Sequence, residues 1–301
     1  MKIKKDIVVV GSVAFDDVKT IKGDHKRLLG GSGTYFSIAS SLYTKVHLVG
    51  VIGDDFDEHY INMLNSKSIS TKFLSRQKGS TFHWGGVYSD DFSTRETLFT
   101  KLGVFENFNP QIKNTSFNKP ILFLANIQPE LQMQVIQQIE SPDLIVLDTM
   151  NLWIENNLKD LIEVIKKTDI LLINDEEALQ LTNQNNLKDA GNKLLEYDLK
   201  YVIIKKGGEG SMIISPSKII TVPAVPDIDV FDPTGAGDSF AGGFLGYLSL
   251  NTDFDIEEAV INGTAIASYT VSDFGINGIK NLKLNNLEKR IKLIKELKKG
   301  F

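Results

Sequence analysis

Residues 232–244 read Asp-Pro-Thr-Gly-Ala-Gly-Asp-Ser-Phe-Ala-Gly-Gly-Phe, a Pro-Gly turn that runs into an apolar helical stretch. Gly235, Ala236 and Gly237 carry little or no side chain, so their backbone N–H groups can face open space at a helix N-terminus. Orphan amides and the helix dipole together make such a place a site for anions. Asp238 falls in the first turn. As a helix cap it would satisfy those same amides. Beside a bound anion, however, it also stands where a general base must sit if a hydroxyl is to attack a phosphoryl group. The residue types alone leave both roles open.

Other short stretches have the same character. Gly30-Gly31 opens a helical segment, and paired glycines let backbone approach a ligand closely. Asp16 and Asp17 follow the apolar run 7–10, and carboxylates beyond the C-terminal end of a buried strand lie where open α/β sheets bind ligands. Asn174 and Glu177 follow the run 170–173 and open a helix, which reads equally as an N-cap with an acidic first turn. Lys205-Lys206-Gly207-Gly208-Glu209-Gly210 forms a glycine-containing turn after the run 201–204.

The elements that must position these groups are legible as a pattern. Segments 7–10, 46–52, 121–124, 144–147, 170–173 and 201–204 are short, β-branched and free of polar alternation, as strands buried on both faces should be. Helical segments at about 130–139, 158–167, 176–181 and 187–196 lie between them, which predicts a mostly parallel sheet covered on both sides. The last third turns helical, with apolar spacings of three and four from Ile256 to Ala267 and from Leu284 to Ile294. The segment 80–100 differs: Phe82, Trp84 and Tyr88 alternate with polar residues, and Ser89-Asp90-Asp91 supplies turn chemistry. It reads as a hairpin outside the main sheet.

The run from Asp232 to Phe240 matches, without a gap, the second signature of the ribokinase-like PfkB kinases, the family of ribokinase, fructokinases and adenosine kinases, and the chain resembles that family from Gly11 to about Gly278. The resemblance implies a three-layer ribokinase-like fold in one domain over 1–301, with a β-sheet lid from about 13–23 and 80–100. It implies that Asp238 is the catalytic base and that the amides of Gly235, Ala236 and Gly237 form the anion hole. Asp16, Gly30 and Gly31 would hold the acceptor, together with the residue four beyond Gly31. The family usually has Asn there; this chain has Tyr35.

The resemblance further places Asn174 and Glu177 near magnesium through water, and Lys205, Gly207 and Gly210 around the nucleotide phosphates. Many relatives have Thr where Lys205 stands, which makes the contact here an ionic one. Asn262 would line the adenine pocket. Asp232 and Thr234, with residues 272–275, would border a monovalent cation, K+. The expected activity is transfer of the ATP γ-phosphoryl group to a hydroxyl of a small sugar or sugar-like molecule, gripped by Asp16, Asn126 and Gln128. A nucleoside is the alternative, with Tyr35, Phe82, His83 and Trp84 stacking on its base. A ligand-binding or regulatory protein of the same fold is the alternative from another class, although it would not require Asp238 together with its glycines.

Composition agrees with a small-molecule role. With 33 basic and 38 acidic residues the formal charge is -5, which gives no field that draws nucleic acid. No cysteine occurs, so disulfides and thiolate chemistry are excluded. The apolar run after the basic start is too short for a signal peptide and nothing approaches a membrane span, so a cytoplasmic location is expected. The basic residues 289–299 read as a solvated helix face. Phe82, Trp84 and Tyr88 are more apolar than a solvent-facing hairpin should be, which predicts a homodimer through the lid.

Overall fold

The structure is a computed structural model that describes residues 4–112, 117–250 and 254–299. Its strands in chain order are β1 (Ile7–Val10), β2 (Ala14–Thr20), β3 (Gly23–Gly30), β4 (Val46–Ile52), β5 (Ile69–Arg76), β6 (Phe82–Tyr88) and β7 (Arg95–Lys101). They continue as β8 (Ile121–Leu124), β9 (Leu144–Asp148), β10 (Ile170–Asn174), β11 (Tyr201–Lys205), β12 (Ser211–Ile214) and β13 (Ile219–Val222).

Nine strands form one sheet in the order β13-β12-β11-β10-β9-β8-β1-β4-β5. All its pairs are parallel except β11 with β12 and β12 with β13. The two-residue side-chain period divides the apolar strands between two cores. Ile7 and Val9 face the core built with the helices Ser32–Ser40, Ala236–Leu250 and Ile256–Thr270. Val8 and Val10 face the core built with the helices Pro129–Gln138, Leu158–Ile165, Asp175–Thr182 and Leu187–Leu195. This is the expected three-layer arrangement. The strand order reverses at β1, between β4 and β8, which places the ligand crevice beyond the carboxyl ends of these strands.

The second sheet has the order β3-β2-β6-β7, with β2 and β6 parallel and the outer pairs antiparallel. The hairpin 80–100 thus lies outside the main sheet, as expected, but β3 extends the lid to Gly30, beyond the 13–23 boundary. Its sequence, Gly-Asp-His-Lys-Arg-Leu-Leu-Gly, is exposed from Asp24 to Arg27 and lacks strand propensity.

The terminal helix Leu284–Lys298 buries Leu287 and Ile294. Its Lys292, Lys295 and Lys298 pair with Glu296, Glu258 and Glu257, and the Arg290 guanidinium lies over the Tyr269 ring, so its basic face is largely engaged within the chain. No helix among the described residues is long and apolar enough to cross a membrane.

Candidate active site

The helix Ala236–Leu250 starts directly at the glycine turn. Gly235 has φ 75, and its Cα lies so close to the Tyr35 ring that a Cβ would collide with ring carbons. A side chain at 235 is therefore excluded by backbone region and by space together. The Ala236 amide closes the turn onto the Pro233 carbonyl at 3.2 Å, and the Ser239 amide donates to Gly235 O at 2.9 Å.

Asp238 projects from the first helical turn and is half-buried. Burial, reinforced by Asp148 and partly opposed by Lys205, pushes its carboxyl up to about 7. A carboxyl poised there is charged often enough to accept a proton and basic enough to hold it.

Lys205 ends β11 and Asp148 ends β9, with Asn174 at the end of the intervening β10. The lysine Nζ donates to Asp148 Oδ1 at 2.8 Å, with side-chain exposures of 18% and 6%. Burial disfavours the ammonium, but Asp148 and Glu177 more than offset this and raise its pKa above that of an ordinary lysine. The same Nζ lies 3.3 Å from where a Cβ on Gly237 would stand, so the cation sits at the helix N-terminus. A buried ion pair adds little net stability against an apolar pair.

Asn174 and Glu177 form a reciprocal capping box: Glu177 N donates to Asn174 Oδ1 at 2.7 Å, and Asn174 N donates to Glu177 Oε2 at 3.0 Å. Burial raises the Glu177 carboxyl to about 7, with Lys205 lowering it and Asp148 adding to the rise. Asp148, Glu177 and Asp238 thus crowd three carboxyls around one ammonium. Among the described residues no three His, Asp or Glu side chains form a direct metal cage. This donor set fits magnesium, which keeps several waters and binds through one or two carboxylates plus phosphate oxygens.

On β2, Asp16 is buried and Asp17 is turned away from it. Asp17 Oδ1 accepts from Arg27 N at 2.8 Å and pairs with His83 Nε2 at 2.7 Å. Gly30 leaves room for the Asp16 carboxylate, whose Oδ2 would collide with any Cβ there, and the Gly31 amide donates to it. Gly31 itself, at φ 91, packs against Ser12 O and precedes the helix Ser32–Ser40. Burial, then Asp232 and Asp238, push the Asp16 carboxyl up to about 8.

Tyr35 is 1% exposed, and its hydroxyl has no hydrogen-bond partner among the described residues. Burial and the charges of Asp16 and Asp232 hold that phenol well above its ordinary range. The Asn126 Oδ1 accepts from Trp153 Nε1 at 2.7 Å, and Gln128 Oε1 is buried without a partner among the described residues. Asp232 is 0% exposed; one carboxylate oxygen accepts from Thr234 N and the other from Gly275 N, each at 2.9 Å. Burial raises its carboxyl despite those amides.

A cavity of about 590 Å³ opens beside this cluster, within the range of ligand pockets. Lys205, Gly207, Ala236 and Gly237 line one part of it; Val225 and Ile228 line another. Gly210 also borders the cavity.

Three expectations need correction. Asn262 does not line the cavity: its side chain accepts from Tyr43 Oη at 2.9 Å and donates to Glu258 O at 2.8 Å. The cavity face of the helix Ile256–Thr270 carries Thr264, Ala267 and Ser268. At 100° per residue, a position two before Thr264 points about 200° away. The four proposed stacking aromatics are dispersed. Tyr35 props Gly235, Phe82 stacks on Phe105 at 5.6 Å, and His83 pairs with Asp17. Only Trp84 joins the cluster of Val18, Tyr88 and Phe274 between lid and main body. For the same reason Phe82, Trp84 and Tyr88 form no exposed patch; all are half-buried or buried. Sequence reasoning also missed Asp148, whose signal is a carboxylate directly after the apolar run 144–147.

A family model described as "pfkB family carbohydrate kinase" matches residues 4–281. A cytidine kinase of Thermococcus kodakarensis is 28% identical over 90% of this chain and 97% of its own. A nucleoside kinase of Methanocaldococcus jannaschii is 26% identical over 83% of this chain and 81% of its own. Among solved structures, a ribokinase-like protein from E. coli in complex with ATP and Mg2+ aligns with TM-score 0.77 and 17% identity, covering 96% of this chain and 99% of the other. The fold is that of ribokinase, and the chain belongs to the pfkB family of carbohydrate kinases, phosphotransferases with an alcohol group as acceptor.

Proposed function

We propose that the protein transfers the γ-phosphoryl group of ATP to a ribose hydroxyl of a nucleoside, with Asp238 as general base. The observation that carries this reading is the placement of Asp238 in the first turn of a helix whose glycine start lies against the Lys205 ammonium at the cavity; burial raises its carboxyl to about 7. The acceptor oxygen forms its bond to the γ-phosphorus as the bond to the β,γ-bridging oxygen breaks. ADP leaves with that electron pair, and the hydroxyl proton passes to Asp238. The amides of Gly235, Ala236 and Gly237 stabilise the equatorial oxygens, with Ala236 exchanging its turn bond for the phosphate. Lys205 adds charge there, and Gly207 leaves open space for the phosphates, while Gly210 is required by its left-handed backbone and close approach to Val222 O. Magnesium, approached through water by Asn174 and Glu177, would neutralise phosphate charge.

On the acceptor side Asp16 grips hydroxyls beside Gly30 and Gly31, and the Tyr35 hydroxyl and Asn126 complete the polar wall. The resemblance to a cytidine kinase over nearly all of both chains favours a nucleoside. A free sugar is the second reading, favoured by the buried Gln128 Oε1, which has no partner among the described residues. Asp232 and Thr234 are candidates to border K+, because a buried carboxylate with a raised pKa gains from a counter-ion. Self-association through the lid would rest on Ile21 and Leu98, 62% and 58% exposed, and a monomer at micromolar concentration excludes it.

The test is ADP release from ATP and Mg2+, in K+ and in Na+, across a panel of nucleosides and free sugars. Turnover is expected with a nucleoside. Turnover with sugars alone selects the second reading, and none with any acceptor refutes both.

A further inference from the structure

The cavity beside Lys205 has a wall that the main body does not supply. Asp91 and Phe92, from the turn joining β6 to β7, line it together with Gly207, Ala236 and Gly237. This turn is a built structure. Ser89 N donates to Thr94 O at 3.0 Å and Phe92 N to Ser89 O at 2.9 Å. Asp91 Oδ1 accepts from Ser89 Oγ, Ser93 N and Ser93 Oγ at 2.7, 3.0 and 2.7 Å. Phe92 is held at φ 59, a left-handed conformation that an aromatic residue adopts only where its surroundings impose it.

Those surroundings are the lid–body cluster of Val18, Tyr88 and Phe274, against which Phe92 packs with Phe231. Polar links fix the same seam: Tyr88 Oη meets Thr234 Oγ1 at 3.1 Å, Thr20 Oγ1 donates to Phe231 O at 2.9 Å, and Lys22 pairs with Asp229 at 2.7 Å. Residues 229–234 run from the cavity wall at Val230 to the glycine turn. The lid is thus clasped to the segment shared by the cavity and the anion hole.

We propose that the tip of the lid hairpin is part of the nucleotide site, with Phe92 as an apolar contact for the bound nucleotide and Asp91 as the positioning residue that fixes the turn. The inference rests on the reading of this cavity as the ATP site. β2 carries Asp16 on the same lid sheet, so nucleotide and acceptor each bias the lid toward one closed position. By linkage each ligand then raises affinity for the other.

The test measures binding of the non-hydrolysable analogue AMP-PNP with Mg2+ by calorimetry, without acceptor. Phe92→Gly suits the left-handed backbone and removes only the ring; Phe92→Leu restores apolar bulk. Phe92→Gly gives up packing in the lid–body cluster and should melt lower, so binding is measured at a temperature where circular dichroism shows it folded; there it is expected to weaken AMP-PNP about tenfold, and Phe92→Leu to recover part of the loss. Asp91→Ala should weaken it less. Unchanged AMP-PNP affinity in Phe92→Gly, or a loss confined to the acceptor KM, overturns the inference while leaving the kinase reading intact. Failure of the unmodified protein to bind AMP-PNP overturns both.

Discussion

Replacing Asp238 by Asn separates its two candidate roles because they predict opposite balances of stability and turnover. The folded chain holds the carboxyl near 7, against 3.8 for the ordinary side chain, chiefly through burial. The folded state therefore binds this proton more tightly than the unfolded state. Stability contributed by the protonated group is complete below about pH 4 and is lost as pH rises toward 7. A shift of roughly three units at about 1.36 kcal/mol each is an upper figure of about 4 kcal/mol for keeping the charge in place. Asn has the same shape, still caps, and carries no charge. The variant should therefore melt above the unmodified protein at pH 8, by about 3 °C if half that energy is realised in a chain of this size. The two should melt alike near pH 4. Turnover should fall by about 100-fold or more, because the amide accepts no proton. The assays are thermal melts at both pH values and ADP release with the accepted substrate. A variant no more stable at pH 8 and still turning over near normally would refute the reasoning and leave Asp238 as a cap.

The neighbours of Asp238 should move its titration in opposite directions. Asp148→Asn should shift the acid limb of the kcat/KM profile to lower pH, and Lys205→Met should shift it higher, since the first raises and the second lowers this carboxyl. Glu177→Ala should lower magnesium-dependent turnover by about tenfold or more, leaving AMP-PNP affinity within a few-fold; equal losses in both count against the metal-side placement. Tyr35→Phe removes a buried hydroxyl without a partner among the described residues and should raise the acceptor KM about tenfold at unchanged ATP KM. An unchanged acceptor KM would make Tyr35 a prop for Gly235 alone.

The strands of the main sheet that were legible are those buried on both faces, because only there does an unbroken β-branched run appear. β5, with Lys72 and Arg76 exposed, and β3, exposed from Asp24 to Arg27, carry mixed sequences whose strand state comes from pairing with β4 and β2. The glycine turn, the capping box and the Gly30-Gly31 approach were legible because each is local, decided within five or six residues. Pairs formed across the sheet were not. Lys205 and Asp148 are 57 residues apart and meet only because β9 and β11 flank β10. Asn262 was misplaced because a helical position carries its residue type in the sequence but its direction only once the helix is rotated against its neighbours.

This division has a chemical consequence at the carboxyl ends of β9, β10 and β11. Each strand ends in a polar residue, Asp148, Asn174 and Lys205, and the helix after β10 adds Glu177. Alone, each reads as a strand terminus or a cap. Parallel pairing brings them to one edge, where three carboxyls with Asp238 share one ammonium, and burial lets two of them, Glu177 and Asp238, rise to about 7. Bringing a magnesium-bound nucleotide to this edge replaces shared protons by metal charge, which should return both carboxyls toward ionisation. The acid limb of kcat for the fully bound enzyme should then lie below that of kcat/KM for the free enzyme. Identical limbs, in profiles measured at saturating and at limiting ATP and Mg2+, would mean that the nucleotide does not approach this edge.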